Sequence, residues 1–285
     1  MQIDPPPPGA IDRAVRLALE EDRAGEDAAT LATVGESLTG EAIFLAKEPG
    51  VFAGMAVIEA VFAALSPAVT VEALAADGER FAKGQHLAIA RGPVRGLLTG
   101  ERTALNFVQR LSATATLARA FVDAVAGTNA VILDTRKTTP GLRDLEKWAV
   151  RCGGATNHRR DLAVMAMIKD NHREALAREG RSLADGVASI RRLFPGIPVE
   201  VEIDSLDQLE AALAESPEWV LLDNMSNAGM AEAVRRTRGR ARLEASGGVK
   251  LSTVRAIAET GVDAISAGAL THSQGSLDIS LELTF

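Results

Sequence analysis

The chain has 285 residues, 47% of them hydrophobic and 24% charged, which is enough apolar material for one or two packed domains and too much for a disordered polymer. A formal net charge of −7 argues against a nucleic-acid partner, which needs a wide basic face, but allows a local basic pocket. Cys152 is the single cysteine, so no internal disulfide forms; with no charged-then-apolar leader the expectation is a cytoplasmic protein.

In chain order, Pro5 to Pro8 cannot enter a helix interior or a ladder, so the first residues are expected as an extended arm. Ile11, Ala14, Val15, Ala18 and Leu19 then recur at helical spacing and predict an amphipathic helix. The apolar stretch from Val51 to Val69 is broken by Glu59 and Pro67 and reads as buried core rather than a membrane span. It lies inside a region, about Leu38 to Arg95, where AIFLA and HLAIA alternate with glycine and proline, the pattern of a small sheet with at least one packed helix. Residues Glu101 to Val125, between Gly100 and Gly127, predict one long or kinked helix bridging two domains. Beyond it the strand-like runs AVILD, MAMIK, VEVEI, WVLLD, RLEAS and DAISA alternate with the helical patterns LRDLEKWAV, LADGVASIRRLF, LDQLEAALAE and VRAIAETG. Such alternation calls for parallel strands with crossover helices, and six units favour a barrel or partial barrel.

Each strand-like run ends on polar residues: Asp134 to Lys137, Lys169-Asp170-Asn171, Glu202 and Asp204, Asp223-Asn224, Ser246-Gly247-Gly248, and Gly268. Taken singly, each is an ordinary loop or helix cap. Six at the same end predict a site, because β/α barrels build theirs at the carboxyl ends of the strands. Arg136, Lys137, His158, Arg159 and Lys169 form a cationic group suited to a di- or polyanion, with arginine forks able to grip carboxylates bidentately. Glu202 and Asp223 suit sugar hydroxyls or Mg²⁺, which prefers oxygen ligands. Glu200 shares a face with Glu202 by the period of two, and the pattern leaves both open. Ser246, Gly247, Gly248 and Gly268 allow backbone N–H groups to approach a phosphate, helped by the helix N-termini that follow.

The strings GERTALNFVQRLSATATL, DTRKTTPGLR, EKWAVRCGG, NHR, IKDNH, VEVEIDSLDQLEAAL, VLLDNM, LEASGGV and ISAGALTHS together resemble the quinolinate phosphoribosyltransferase family, a type II phosphoribosyltransferase group, over most of Gly100 to Ser273. The resemblance implies the α/β class, with an incomplete, TIM-like α/β barrel and a smaller N-terminal α/β sandwich domain. Domains are accordingly expected at 1–115 and 116–273, with the tail 274–285 packing back on the first. It also implies Mg²⁺ as cofactor, a homodimer or dimer-based hexamer, and transfer of phosphoribosyl from 5-phosphoribosyl-1-pyrophosphate to quinolinate with decarboxylation.

Position by position, the resemblance places Arg136, His158 and Arg159 on the quinolinate carboxylates and Lys137 and Lys169 between the two substrates. Glu202, chosen over Glu200, and Asp223 face ribose and metal. Ser246, Gly247, Gly248, Gly268 and His272 surround the 5-phosphate, and Arg102 crosses the dimer interface. Lys137, Lys169, Glu202 and Asp223 are the implied catalytic groups. Departures from the pattern fall at Ala113, Arg160 and Asp161. Intact IKDNH and VEVE set the chain apart from the molybdenum-transport-associated paralogue. The rival classes are a Schiff-base aldolase using Lys169, which borohydride would trap, and a sugar-phosphate sensor, which would bind without turnover.

Overall fold

The computed structural model describes Ile3 and residues 5–285. The strands are β1 (Thr39–Ala46), β2 (Gly50–Val51), β3 (Thr70–Ala73), β4 (Arg80–Phe81), β5 (His86–Pro93), β6 (Val131–Leu133), β7 (Ala166–Ile168), β8 (Val199–Ile203), β9 (Trp219–Asp223), β10 (Arg242–Ser246), β11 (Ala264–Ser266) and β12 (Ile279–Thr284). Two compact units share them. The first takes the chain up to Arg119, Thr138–Gly154 and Leu270–Phe285; the second takes Ala120–Lys137 and Ala155–Ala269.

In the first unit an antiparallel sheet runs in the order β12-β1-β5-β3, with β2 and β4 paired separately. Alternation along β1 buries Ala42, Phe44 and Ala46. The apolar helix Met55–Leu65 packs into the same core, its Phe62 meeting Phe44 edge-on at 6.3 Å. Helix Ala10–Glu21 buries Ala10, Ala14 and Val15, the face its spacing predicts. Before it the proline run is irregular and ends in a turn at Gly9, whose φ of +72° suits glycine. Met1, Gln2 and Asp4 of the expected arm lie outside the described residues.

The long helix spans Val94–Ala124, starting well before Gly100. Gly100 is not a boundary: a Cβ there would lie 2.8 Å from Phe62 Cε1, so the glycine permits close packing inside the helix. A larger correction concerns LRDLEKWAV. Its helix, Arg143–Cys152, is not a crossover of the parallel sheet but part of the first unit, where Leu145, Trp148, Ala149 and Cys152 join the apolar core. The first unit is therefore assembled from three chain segments, and the expected division at 115/116 does not describe the packing.

The second unit is a six-stranded sheet in the order β6-β11-β10-β9-β8-β7, with every pairing parallel. All six predicted runs became strands, and β6 and β7 stand at opposite, unjoined edges, so the barrel is incomplete. Helices Leu183–Leu193, Leu209–Ala214 and Val254–Ala258 fall on predicted patterns. Helices Asp170–Arg178 and Asn227–Thr237 were not anticipated, although Ser226 caps the second by accepting the Gly229 N–H. On β8, Val199, Val201 and Ile203 are wholly buried while Glu200 and Glu202 take the alternate face. Among the described residues no helix is long and apolar enough to cross a membrane.

Candidate active site

A cavity of about 590 Å³ opens in the second unit at the carboxyl ends of its strands. Arg136 and Lys137 reach it just beyond β6, and Lys169 immediately follows β7. Glu202 on β8 and Asp223 on the adjoining β9 stand at its wall, with Ser246, Gly247 and Gly248 at the end of β10. His158 and Arg159 enter from the segment that returns to the sheet beside β6, where Thr156 bridges to Leu133. Ten of the thirteen expected residues are thus gathered in one place.

The other three are not part of this lining. Gly268 lies in the second unit beyond β11. His272 belongs to the first unit, with Nδ1 2.7 Å from Ser273 Oγ. Arg102 is exposed in the first unit, on a hollow of about 640 Å³ that it lines with Arg13, Arg110, Leu17, Phe107 and Leu142. At the departures from the family pattern, Arg160 pairs with Asp161 at 3.2 Å on the surface.

The anionic and cationic groups meet directly. Lys169 Nζ donates to Glu202 Oε2 at 2.7 Å. Asp223 Oδ2 accepts from Asn224 Nδ2 at 2.8 Å, and the Asn224 N–H donates to the Ser246 carbonyl at 2.9 Å. Asn224 adopts a left-handed φ of +54°, a conformation asparagine tolerates better than most residues. Gly247 follows with φ +93°, and a Cβ there would collide with Asn224 Oδ1; Gly248 has φ +59° and open space around it. The next helix begins only at Val254 and has five residues, so a glycine turn, rather than a helix end, follows β10 at the cavity.

Beneath this rim lies a charged layer, of which sequence reasoning named Asp134, His158 and, as an open alternative, Glu200, but not Glu244. Asp134, fully buried, accepts the His158 N–H at 2.8 Å and Asn157 Nδ2 at 2.7 Å. His158 Nε2 stands 2.9 Å from Glu244 Oε2 and 3.5 Å from Glu200 Oε2, and both glutamates are buried. On the other side of the ring the Arg159 N–H donates to Nδ1 at 2.8 Å. Burial depresses the imidazole, but Glu200 and Glu244 outweigh it and raise His158 to about 9. That pull toward a second ring proton conflicts with the Arg159 N–H, which occupies the place where the proton would sit. The hydrogen bond favours the tautomer with Nδ1 unprotonated; burial raises Glu200 to about 7, the Glu244 charge adding to the rise and His158 opposing it. Arg159 is shifted down by burial and by the nearby Arg136 charge, with Glu200 and Glu244 opposing.

Period two had put Glu200 and Glu202 on one face, and the structure divides them by depth: Glu202 at the rim with Lys169, Glu200 below with His158. Glu244 was legible only as part of the run RLEAS. Its register partner Leu221 is also that of Glu202, which places all three side by side on the cavity wall.

Two family models cover nearly the whole chain. That for the quinolinate phosphoribosyl transferase C-terminal domain matches residues 114–282, and that for the N-terminal domain matches residues 27–112. The chain belongs to the quinolinate phosphoribosyltransferase family. Within it, the chain is 47% identical over 279 residues to a carboxylating nicotinate-nucleotide pyrophosphorylase of Mycobacterium leprae, covering 94% of this chain and 95% of that one. A decarboxylating quinolinate phosphoribosyltransferase of Nicotiana tabacum is 40% identical over 302 residues, covering 99% and 85%. Among solved structures, the nicotinate-nucleotide pyrophosphorylase of Francisella tularensis superposes with a TM-score of 0.92 at 36% identity, covering 100% and 99%.

Proposed function

We propose that the chain is a quinolinate phosphoribosyltransferase that converts quinolinate and 5-phosphoribosyl-1-pyrophosphate into nicotinate mononucleotide, pyrophosphate and carbon dioxide, a step of NAD biosynthesis. The observation that carries this reading is the meeting, in one cavity, of Arg136, Lys137, Arg159 and Lys169 with Glu202, Asp223 and the Ser246-Gly247-Gly248 turn. Cations for a dicarboxylate, carboxylates for a sugar and a glycine turn for a phosphate match the two substrates part by part.

Arg136 and Arg159 take the quinolinate carboxylates and aim the ring nitrogen at the anomeric carbon, offsetting the desolvation of two charges. Ser246 and the N–H groups of Gly247 and Gly248 hold the 5-phosphate. As pyrophosphate departs, the anomeric carbon gains positive character, which Glu202 and Asp223 stabilise from the ribose side. Lys137 and Lys169 stand between the substrates. Once the ring nitrogen is alkylated, the adjacent pyridinium charge stabilises the carbanion left by loss of carbon dioxide, and Lys137 supplies electrostatic help or the proton.

Mg²⁺ fits the donor set. Glu202 and Asp223 offer hard carboxylate oxygens at the rim, above the His158, Glu200 and Glu244 cluster, and two carboxylates suit an ion held partly by substrate phosphates. Bound there, Mg²⁺ would offset charge on the leaving group. We place the protein in the cytoplasm as a homodimer or dimer-based hexamer in which Arg102 completes the partner's site.

The test is to mix the protein with quinolinate, 5-phosphoribosyl-1-pyrophosphate and Mg²⁺. Formation of nicotinate mononucleotide and carbon dioxide in equal amounts is expected. Binding of both substrates without turnover would leave a sensor, and borohydride trapping at Lys169 would point to an aldolase.

A further inference from the structure

A β/α barrel interior is ordinarily filled by branched apolar side chains, the layers drawn from alternate strands. Here β8 and β10, separated by β9, contribute Glu200 and Glu244 instead, both essentially without exposure. Two buried carboxylates carry a desolvation cost that their own attraction for one imidazole does not obviously offset. Such a cluster calls for a use.

Three uses can be separated by the hydrogen count on one ring. His158, Glu200 and Glu244 each offer a ligand atom within 4.8 Å of the others, as a metal site would require. A metal on Nε2 takes that lone pair and leaves the ring proton on Nδ1, pointing at the Arg159 N–H. An imidazolium ligand for a substrate carboxylate fails in the same way, since both of its nitrogens carry hydrogen. Only the neutral ring protonated at Nε2 suits both neighbours: Nε2 lies 2.9 Å from Glu244 Oε2 and 3.5 Å from Glu200 Oε2, and Nδ1 accepts from Arg159. In that form neither nitrogen has a hydrogen left for a substrate.

We propose that His158 is a positioning residue, held by Glu200 and Glu244, that fixes Arg159 for the substrate carboxylate and does not itself bind substrate. This rests on reading the cavity as the quinolinate site. The His158 main chain is tied down by Asp134, and the Arg159 guanidinium donates to the Met165 carbonyl at 3.0 Å and lies 3.5 Å from Met167 Sδ. Held at both its backbone and its head, Arg159 loses little rotamer freedom when it binds an anion. Glu200 and Glu244 are charged groups facing the ring, with Asp134 at its backbone, the Arg159 N–H on Nδ1 and Arg136 acting on Arg159.

The test is the ring tautomer in the full-length protein labelled with ¹⁵N in its four histidines, the His158 signals being those lost in His158→Asn. An unprotonated Nδ1 and a protonated Nε2 are expected near neutral pH, unchanged by saturating quinolinate. A protonated Nδ1, in the free protein or on adding quinolinate, overturns the proposal. Calorimetry provides a second arm. Glu244→Leu should weaken quinolinate binding by about tenfold or more, the scale of one lost buried polar contact. Glu244→Gln, which keeps an oxygen opposite Nε2–H, should recover most of that loss. Equal losses in the two variants would mean that the glutamate supplies charge to an imidazolium, against the proposal. If the unaltered protein bound no quinolinate, the functional reading would fail, while the tautomer would still decide how His158 serves Arg159.

Discussion

Lys169 at the end of β7 and Glu202 on the neighbouring β8 are joined by a 2.7 Å hydrogen bond from Nζ to Oε2, so the proposed quinolinate and phosphoribosyl subsites share a charged pair. Asp223 has no such tie to a cation among the described residues and is held by Asn224. Alanine at Asp223 should therefore lower kcat/KM for 5-phosphoribosyl-1-pyrophosphate and leave quinolinate affinity within about twofold, whereas Glu202→Ala should disturb both by releasing Lys169. Calorimetric titration of each variant with quinolinate alone checks the split; equal effects would mean that the ion pair does not couple the subsites.

Nicotinic acid lacks the 2-carboxylate and leaves part of the arginine site unpaired, so its kcat/KM should fall below that of quinolinate by about 10³-fold or more. Arg136→Lys should raise the quinolinate KM at least about tenfold, because lysine cannot form a bidentate fork. Steady-state kinetics with both acids decides, and comparable values would remove Arg136 from the carboxylate site.

The two glycines after β10 should respond differently to a methyl group. Gly248→Ala meets open space and bears only left-handed strain of about 1–2 kcal/mol. Gly247→Ala bears the same strain and also strikes Asn224 Oδ1, adding an overpacking cost of about 1–3 kcal/mol and displacing the residue that orients Asp223. Urea unfolding and the KM for 5-phosphoribosyl-1-pyrophosphate should rank Gly247→Ala as the more damaged on both scales.

Asp77 accepts the Gly54 N–H at 2.7 Å and the Met55 N–H at 3.3 Å at the start of helix Met55–Leu65. Burial raises its pKa, the two backbone bonds opposing. A folded pKa above the unfolded one gives a contribution that is full below the unfolded value, near 3.8, and is lost as pH rises through the folded value. Asp77→Asn keeps an acceptor and removes the buried charge. Its stability relative to the unaltered protein should therefore climb with pH across that window and level off above it; urea midpoints that diverge in the opposite direction would contradict the assignment.

Arg102→Ala and Lys169→Ala should each be nearly inactive, yet refolding equal amounts together should restore about a quarter of all sites, since half the dimers are mixed and each has one whole site. Recovery no greater than in separately refolded controls, with mixed dimers confirmed by mass spectrometry, would confine Arg102 to its own chain.

The parallel sheet was legible because its strands are dense apolar runs punctuated by polar ends, and the cationic groups were legible because they sit at those ends. LRDLEKWAV was not, since an amphipathic stripe records that a face is buried and not which core receives it. Gly100 looked like a stop because the sequence does not show Phe62 against it. Glu244 was hidden, and Glu200 stood open beside Glu202, for a different reason: alternation assigns a residue to a face, but depth inside a curved sheet depends on the register of neighbouring strands. His158 itself was visible, while the direction of its hydrogen bonds existed only in three dimensions.

The pairing of β12 with β1 brings Thr284 beside Glu41, 243 positions away. A ribosome therefore delivers every strand of the parallel sheet before the antiparallel one can be finished. During synthesis β1 waits with an unfilled edge, which invites pairing with a second nascent chain. Contacts this remote slow the search for the native sheet, so the final folding phase should follow the arrival of Ile279–Thr284 and lengthen when that strand is weakened.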